Sequence, residues 1–439
     1  MKKNHHLSIL NDLRTFLILW STQSLSALGS AMTSFALIIW SYQQQGSALT
    51  TALLSVCSYA PYVLVSIFAG AFSDRWNKKT TMLVCDSLAA ASTVVILVLF
   101  LTGQLRIWHL YCLNAVNGLM NTVQKPAADV SVSLLSPKRY YQKVSSLQSF
   151  SNSLITILKP VIATAFLAFA GIQAVLIFDL ATFALAFLVL LFFVRIPDAS
   201  QEKKKESVLK AAKAGLTYLK ENRGILDLIF FLAAVNLTAS IYNAALPAML
   251  LSRNGGSEFS LGVINAVTGI TMLIGSVIST FSPAPKSRVR VICNTLLISM
   301  STENFFLAFG QTLPVWCVGA ALGWITIPLM NANLDTLFRT TVPIPMQGRV
   351  YSARNTLQFF TIPVGYFLGG LLVDQVFEPL MASQRADSLL VKLLGSGKGA
   401  GAALLFLVIA FFGVLTCLVF RKDRHIWALD KKEKTVQGP

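Results

Sequence analysis

Twelve apolar stretches, each about as long as a lipid bilayer is thick and each closed by a short polar or basic segment, run the length of this chain. A hydrocarbon core of ~30 Å takes about 20 helical residues at 1.5 Å each. The stretches predict spanning helices at 14–41, 48–73, 80–102, 107–130, 144–170 and 172–194, then at 224–251, 259–282, 290–311, 314–336, 349–374 and 400–420. Composition agrees, with 54% hydrophobic residues, 13% charged residues and a mean hydropathy of +0.64. Soluble domains carry about 25% charged residues. Half that share cannot cover a water-facing surface, so lipid must be the main solvent. The expected fold class is an all-α membrane protein.

The formal net charge of +17 would suggest nucleic acid if it formed one basic domain. It does not, because the charges fall in small clusters between apolar runs, and no nucleic-acid partner is expected. Six scattered cysteines form no CxxC pair, which speaks against metal or redox chemistry. The opening MKKNHHLSILNDLR leads into an apolar run too long for a signal-peptide core, so that run is expected to stay as a membrane helix.

Lys and Arg gather in alternate loops: Lys2, Lys3 and Arg14; Arg75, Lys78 and Lys79; Lys138, Arg139 and Lys143; the 195–223 linker; Lys286, Arg288 and Arg290; Arg339 and Arg349; and the tail after Phe420. The other loops hold only Arg106, Arg253, Arg385, Lys392 and Lys398. Basic loops stay inside, which predicts a cell-membrane protein with both termini and the linker cytoplasmic. The expected organisation is a six-helix bundle at 1–194, a linker at 195–223, and a six-helix bundle with its tail at 224–439. In the linker Val208, Leu209, Ala212, Leu216 and Leu219 share one helical face, with Lys210, Lys213 and Lys220 elsewhere. It reads either as an interfacial helix against anionic headgroups or as a solvated connector.

The two halves echo each other. Pro137 precedes Lys143-Val144 by six residues, as Pro343 precedes Arg349-Val350, and Pro126 answers Pro328 as Phe72-Ser73 answers Phe281-Ser282. Repeated six-helix halves place a binding site between them near mid-membrane.

Polar residues form stripes on every third predicted helix. The first carries Gln23, Ser26, Ser30 and Ser34; the fourth carries Asn114, Asn117, Asn121 and Lys125; the seventh carries Asn236, Ser240 and Asn243. The tenth, less evenly spaced, has Thr326, Asn331, Asn333 and Asp335. Residues three or four apart share a face, so these stripes either line a wet cavity or join helices by hydrogen bonds. Gly365, Gly369 and Gly370 form a small-residue ridge suited to close helix contact. Lys159, Asp179 and Glu303 lie within apolar runs, and Asp86 and Arg354 lie nearer the basic ends. Such groups either exchange protons, as a proton-coupled carrier requires, or neutralise one another. Lys159 alternatively meets an anionic substrate.

The segment GAFSDRWNKK, Gly70 to Lys79, resembles the signature loop of the major facilitator superfamily. That resemblance implies twelve transmembrane helices as two six-helix pseudo-repeats, the major facilitator fold, and a gate-latch role for Gly70, Asp74, Arg75, Lys78 and Lys79. The family's second Gly is Asn77 here, and the second-half copy FSPAPKSR lacks the Asp. The runs GIQAVLIFDLATFALAFLVLLFFVRIP, QGRVYSARNTLQFFTIPVGYFLGGLLVD and VFEPLM are similar to bacterial exporters of the macrolide-efflux and enterobactin-exporter group. They imply proton-driven efflux of an amphipathic small molecule. Two features depart from drug–proton antiporters: Asn114 stands where many have Arg, and SLITILKPVIA replaces the Gly-rich signature.

Competing classes fit less well. LLGSGKGAG at 393–401 lacks the first Gly of a phosphate loop and has Gly399 where a magnesium-binding Ser or Thr belongs. His5, His6, His109 and His425 stand in no catalytic arrangement, so no enzyme is expected. The expected machine is a monomeric alternating-access carrier of a small molecule, surrounded by lipid, driven by the proton gradient without a cofactor. A nutrient facilitator or importer, and a non-transporting scaffold, are the alternatives.

Overall fold

Apolar runs with no water to satisfy their backbone close their hydrogen bonds within each segment, and helices result. The computed structural model describes residues 12–137, 140–197, 208–253, 255–283 and 285–437. Lys2, Lys3, His5, His6, Lys138 and Arg139 lie outside the described residues. So do the side chains of 66–75, Lys143, Val208, Leu209, Lys210, Ala212, Arg339 and Arg349.

The first helices are α1 (Arg14–Gln45), α2 (Ala48–Arg75), α3 (Lys78–Leu101), α4 (Ile107–Leu135) and the long α5 (Tyr141–Phe192). Then follow α6 (Val208–Glu221), α7 (Arg223–Ser252), α8 (Glu258–Phe281), α9 (Arg288–Phe309), α10 (Leu313–Trp324) and α11 (Ile327–Thr341). Helices α12 (Ile344–Phe359) and α13 (Thr361–Leu372) lead through a π turn (Val373–Phe377) into α14 (Glu378–Ala382), α15 (Leu389–Leu394), α16 (Ala400–Arg421) and α17 (Arg424–Gln437).

Among the described residues, ten helical stretches are long and apolar enough to cross a membrane. One of them is α5, which holds two spans. At Gly171 the backbone turns to φ 74°, a value open to glycine and strained for other residues. Phe166 and Phe178 meet edge to face with centroids 5.6 Å apart. In a straight helix they would stand roughly 18 Å apart along the axis, so the chain reverses at that glycine. Helix α4 is less apolar, carrying Asn, Gln and Lys residues, yet its 29 residues are long enough to reach across. Counting both arms of α5 and adding α4 gives the expected twelve.

The chain divides into two compact units, Met1–Trp40 with Cys57–Lys205, and Ser41–Val56 with Glu206–Pro439. In the first unit Leu19, Met82, Ala127, Leu190 and Val194 pack together, and Phe16 with Tyr140 and Val144 forms a second cluster. The second unit has a larger core drawn from α7, α9, α11 and α12, with Phe231 stacked on Phe420 at 5.0 Å.

Glycines set the closest approach in that unit. A Cβ on Gly365 would stand 2.7 Å from the Leu237 carbonyl, and one on Gly369 2.8 Å from the Ala244 methyl, so the ridge on α13 packs directly on α7. Gly370 faces Leu49 and Ala52 in the same way.

Two segments outside the spans are helical as well. The linker forms α6, with Leu219 fully buried in the second core and Leu216 exposed, so its apolar face divides between protein and surroundings. The tail forms α17, which buries Ile426 and Leu429 in the same core.

Gly395, Gly397 and Gly399 of the 393–401 segment adopt positive φ, turning the chain into α16. The N-terminus of that helix is taken by the Glu378 carboxylate, which accepts from the Gly399 amide at 2.9 Å and the Ala402 amide at 3.3 Å. An internal anion thus occupies the place a bound phosphate would need.

Candidate functional site

In the first unit the polar stripes converge on two carboxylates. Asp86 on α3 accepts from Gln23 Nε2 on α1 at 3.3 Å and from Gln124 Nε2 on α4 at 2.6 Å. Asp179, on the second arm of α5 and 4% exposed, accepts from Ser30 Oγ at 2.9 Å and Thr93 Oγ1 at 3.3 Å. Neutral donors from two helices therefore hold each acid, and among the described residues neither forms an ion pair. Gly29 lets α1 approach, since a Cβ there would meet the Asp179 backbone at 3.0 Å.

The α4 amides behave differently. Asn114 bonds the Leu110 carbonyl of its own helix at 2.9 Å, Asn121 is exposed, and the enclosed Asn117 Oδ1 has no partner. Lys159 lies over the Phe35 ring at 5.8 Å from its centroid.

Of the 70–79 segment, Gly70, Asp74 and Arg75 belong to the end of α2, and their side chains lie outside the described ones. Asn77 is the N-cap of α3, its Oδ1 accepting from the Thr80 amide at 3.1 Å. A capping side chain is what a glycine at this position would lack. Lys79 Nζ reaches the carbonyls of Leu191 and Val194 at 2.9 and 2.8 Å, neutralising the end of α5. Lys78 is buried, with its amine on the Trp76 carbonyl at 3.1 Å.

The second-half loop shows the same device 210 residues later: Ser287 caps α9 by accepting from the Arg290 amide at 3.1 Å. Its missing acid comes from elsewhere. Asp430 on α17 accepts from Ser287 Oγ at 2.5 Å and from the amides of Arg288 and Val289 at 3.1 and 3.2 Å.

The second unit contains a cavity of about 200 Å³ between α7, α9 and the α10–α11 break. Asn236, Tyr242, Glu303, Asn304, Trp324 and Asn331 supply its polar lining. Glu303, 5% exposed, accepts from Trp324 Nε1 at 2.8 Å. Gly323 makes room for it, because a Cβ there would stand 2.8 Å from Glu303 Oε2.

Asn236 also donates to the Gln358 carbonyl at 3.3 Å. The other expected lining residues lie apart from this cavity. Ser240 is buried against Gly365, and Asn243 is exposed and bonded to Ala239. Asn333 is buried and accepts from Arg288 Nη1 at 3.0 Å. Arg354 lies over Phe338, 4.4 Å from the centroid, and donates to Gln358 Oε1 at 3.0 Å.

The sequence profile of the Major Facilitator Superfamily matches residues 19–365. The chain belongs to that superfamily. This facilitator is 20% identical over 366 residues to macrolide efflux protein A of Streptococcus pyogenes, covering 82% of this chain and 90% of that protein. It is 24% identical over 390 residues to the multidrug efflux pump Tap of Mycolicibacterium fortuitum, covering 86% and 93%. In fold it is similar to a bacterial homologue of the iron transporter ferroportin solved in an inward-facing state, with a TM-score of 0.69 at 15% identity over 93% of this chain and 98% of that one. The chain is thus a multi-pass membrane transporter of the superfamily, acting on a small molecule, and not an enzyme.

Several residues at the facilitator's polar centres escaped the sequence reading. Gln124 follows the α4 stripe by three residues from Asn121 and was findable by spacing. Tyr242 and Trp324 carry no such mark, since an aromatic in an apolar run looks like core; Asn304 adjoins Glu303 and was findable by that neighbour. Asp374 is the other omission: it accepts from Ser47 Oγ at 2.6 Å and from the amides of Ala48 and Leu49 at 3.0 and 2.9 Å, capping α2.

Proposed function

We propose that this chain exports an amphipathic small molecule (a drug, a macrolide-like compound or a siderophore) against its gradient, exchanging it for protons by alternating access. In this reading it works as a monomer of two six-helix bundles joined by the 195–223 linker, with both termini cytoplasmic, and the 70–79 loop latches the inner face. The observation that carries it is the pair Asp179 and Glu303: acids within membrane-length helices, each held by neutral donors and, among the described residues, without an ion-pair partner. A carboxylate so placed can stand with or without its proton, because hydroxyl and indole neighbours serve either state. The names of the relatives, macrolide efflux protein A and the multidrug efflux pump Tap, support the direction and the substrate class.

The test is proton flux in inverted vesicles challenged with antibiotics and siderophores. A substrate-triggered pH change is expected in the wild type, with uphill transport abolished and passive exchange retained in Asp179→Asn or Glu303→Gln. Concentrative transport unchanged in both variants refutes the coupling. Substrate movement in the import direction refutes export.

A further inference from the structure

One acceptor in the second-unit cavity is left without a donor by the fold, and the carboxylate beside it is left without a counter-charge. Glu303 accepts from Trp324 Nε1 and from the Tyr242 hydroxyl, both neutral, and no described Lys, Arg or His pairs with it. Its neighbour Asn304, 3% exposed, uses its amide nitrogen on the Met300 carbonyl at 2.8 Å, and its Oδ1 is enclosed without a donor. Buried acceptors of this kind cost free energy until something brings them donors, and a buried carboxylate asks for positive charge as well.

The walls narrow the chemistry. Trp324 and Tyr242 are aromatic, and π faces attract cations and alkylammonium groups in particular. An anion would meet Glu303 unfavourably, and a neutral hydroxyl would satisfy Asn304 while leaving the acid unpaired. Size narrows it again: about 200 Å³ falls below the roughly 300–1,000 Å³ of sites that enclose a drug-sized ligand. The cavity suits a head group with the remainder of the ligand outside.

We propose that this cavity receives the protonated amine head of a ligand, its ammonium paired with Glu303, an N–H given to Asn304 Oδ1, and its alkyl substituents against Trp324 and Met300. The inference rests on the export reading only in that a transported amine is the expected bearer. An ethanolamine lipid headgroup carries the same chemistry.

The test is equilibrium binding to the full chain in phosphatidylglycerol nanodiscs at neutral pH, without a gradient. The probe is protonated N,N-dimethylbenzylamine, compared with its neutral isostere isobutylbenzene. The amine is expected to bind at least about tenfold more tightly than the hydrocarbon. Glu303→Gln should erase that preference, and Asn304→Ala should weaken the amine by about three- to tenfold. Asn304→Ala alone carries the test if Glu303→Gln fails to fold. Equal binding of the two probes, or amine affinity unchanged in the folded variants, overturns the proposal.

Repeating the measurement in nanodiscs containing phosphatidylethanolamine assigns the source. Loss of probe binding there makes the lipid headgroup the occupant, and undiminished binding makes it a transported amine. Either outcome keeps the cation site. Because the assay involves no transport, a chain that binds the amine but exports nothing sinks the export reading alone. An exporter whose cavity ignores the amine sinks this inference alone.

Discussion

Replacing Asp430 by Ala removes a carboxylate that serves a helix distant in sequence. Three hydrogen bonds go at once, from Ser287 Oγ and from the amides of Arg288 and Val289. Val289 is 1% exposed, so its amide cannot turn to water, and an orphaned buried donor costs about 1–3 kcal/mol. The lost anion at the N-terminus of α9 adds about 0.3–1 kcal/mol. Ser287 still caps Arg290, so α9 itself holds, and what weakens is the seat of α17 upon it. A net loss of about 2–3 kcal/mol corresponds to a rise of roughly 30- to 150-fold in the undocked fraction. Hydrogen–deuterium exchange in detergent reads this directly, as faster exchange in peptides covering 285–292 and 424–437. Asp430→Asn keeps an acceptor oxygen and should show a smaller rise. Exchange within threefold of the wild type in Asp430→Ala, or a rise no larger there than in α8, would refute the assignment of Asp430 as the cap of α9.

Two further outcomes are expected. Gly171→Ala forces a side chain into a positive-φ, extended conformation that glycine alone adopts readily, costing about 1–3 kcal/mol, and should lower the thermal midpoint of the purified protein, whereas Ala170→Ser should leave it in place. Glu378→Ala strips the N-terminus of α16 of its two charge-assisted bonds and should destabilise by about 1–2 kcal/mol, read as a lower midpoint and faster exchange at 399–403.

The spans were legible because lipid thickness imposes a length that composition alone can meet, and because most basic residues fall where runs end. The acids were legible for the related reason that charge in an apolar run has few explanations. What surrounds Glu303 was not. Trp324 lies 21 residues away on a helix whose facing side depends on the break at Ile325 and Thr326, and nothing in the sequence fixes that rotation. Asn77 looked like a departure from a family glycine, and its role emerges only from the Thr80 amide it caps. The packing of the tail was not legible because two apolar residues, Ile426 and Leu429, are too few to declare a buried face. Stripe spacing likewise could not separate Asn236, which lines the cavity, from Ser240, which fills the gap left by Gly365.

The reversal at Gly171 ties the chemistry of α5 to its reading frame. Asp179 lies eight residues beyond the corner, and each helical residue advances the azimuth by about 100°. One inserted residue between the two would swing the acid away from Ser30 and Thr93 and present a hydrocarbon neighbour in its stead. A span that turns back on a single glycine has no slack with which to absorb such a slip.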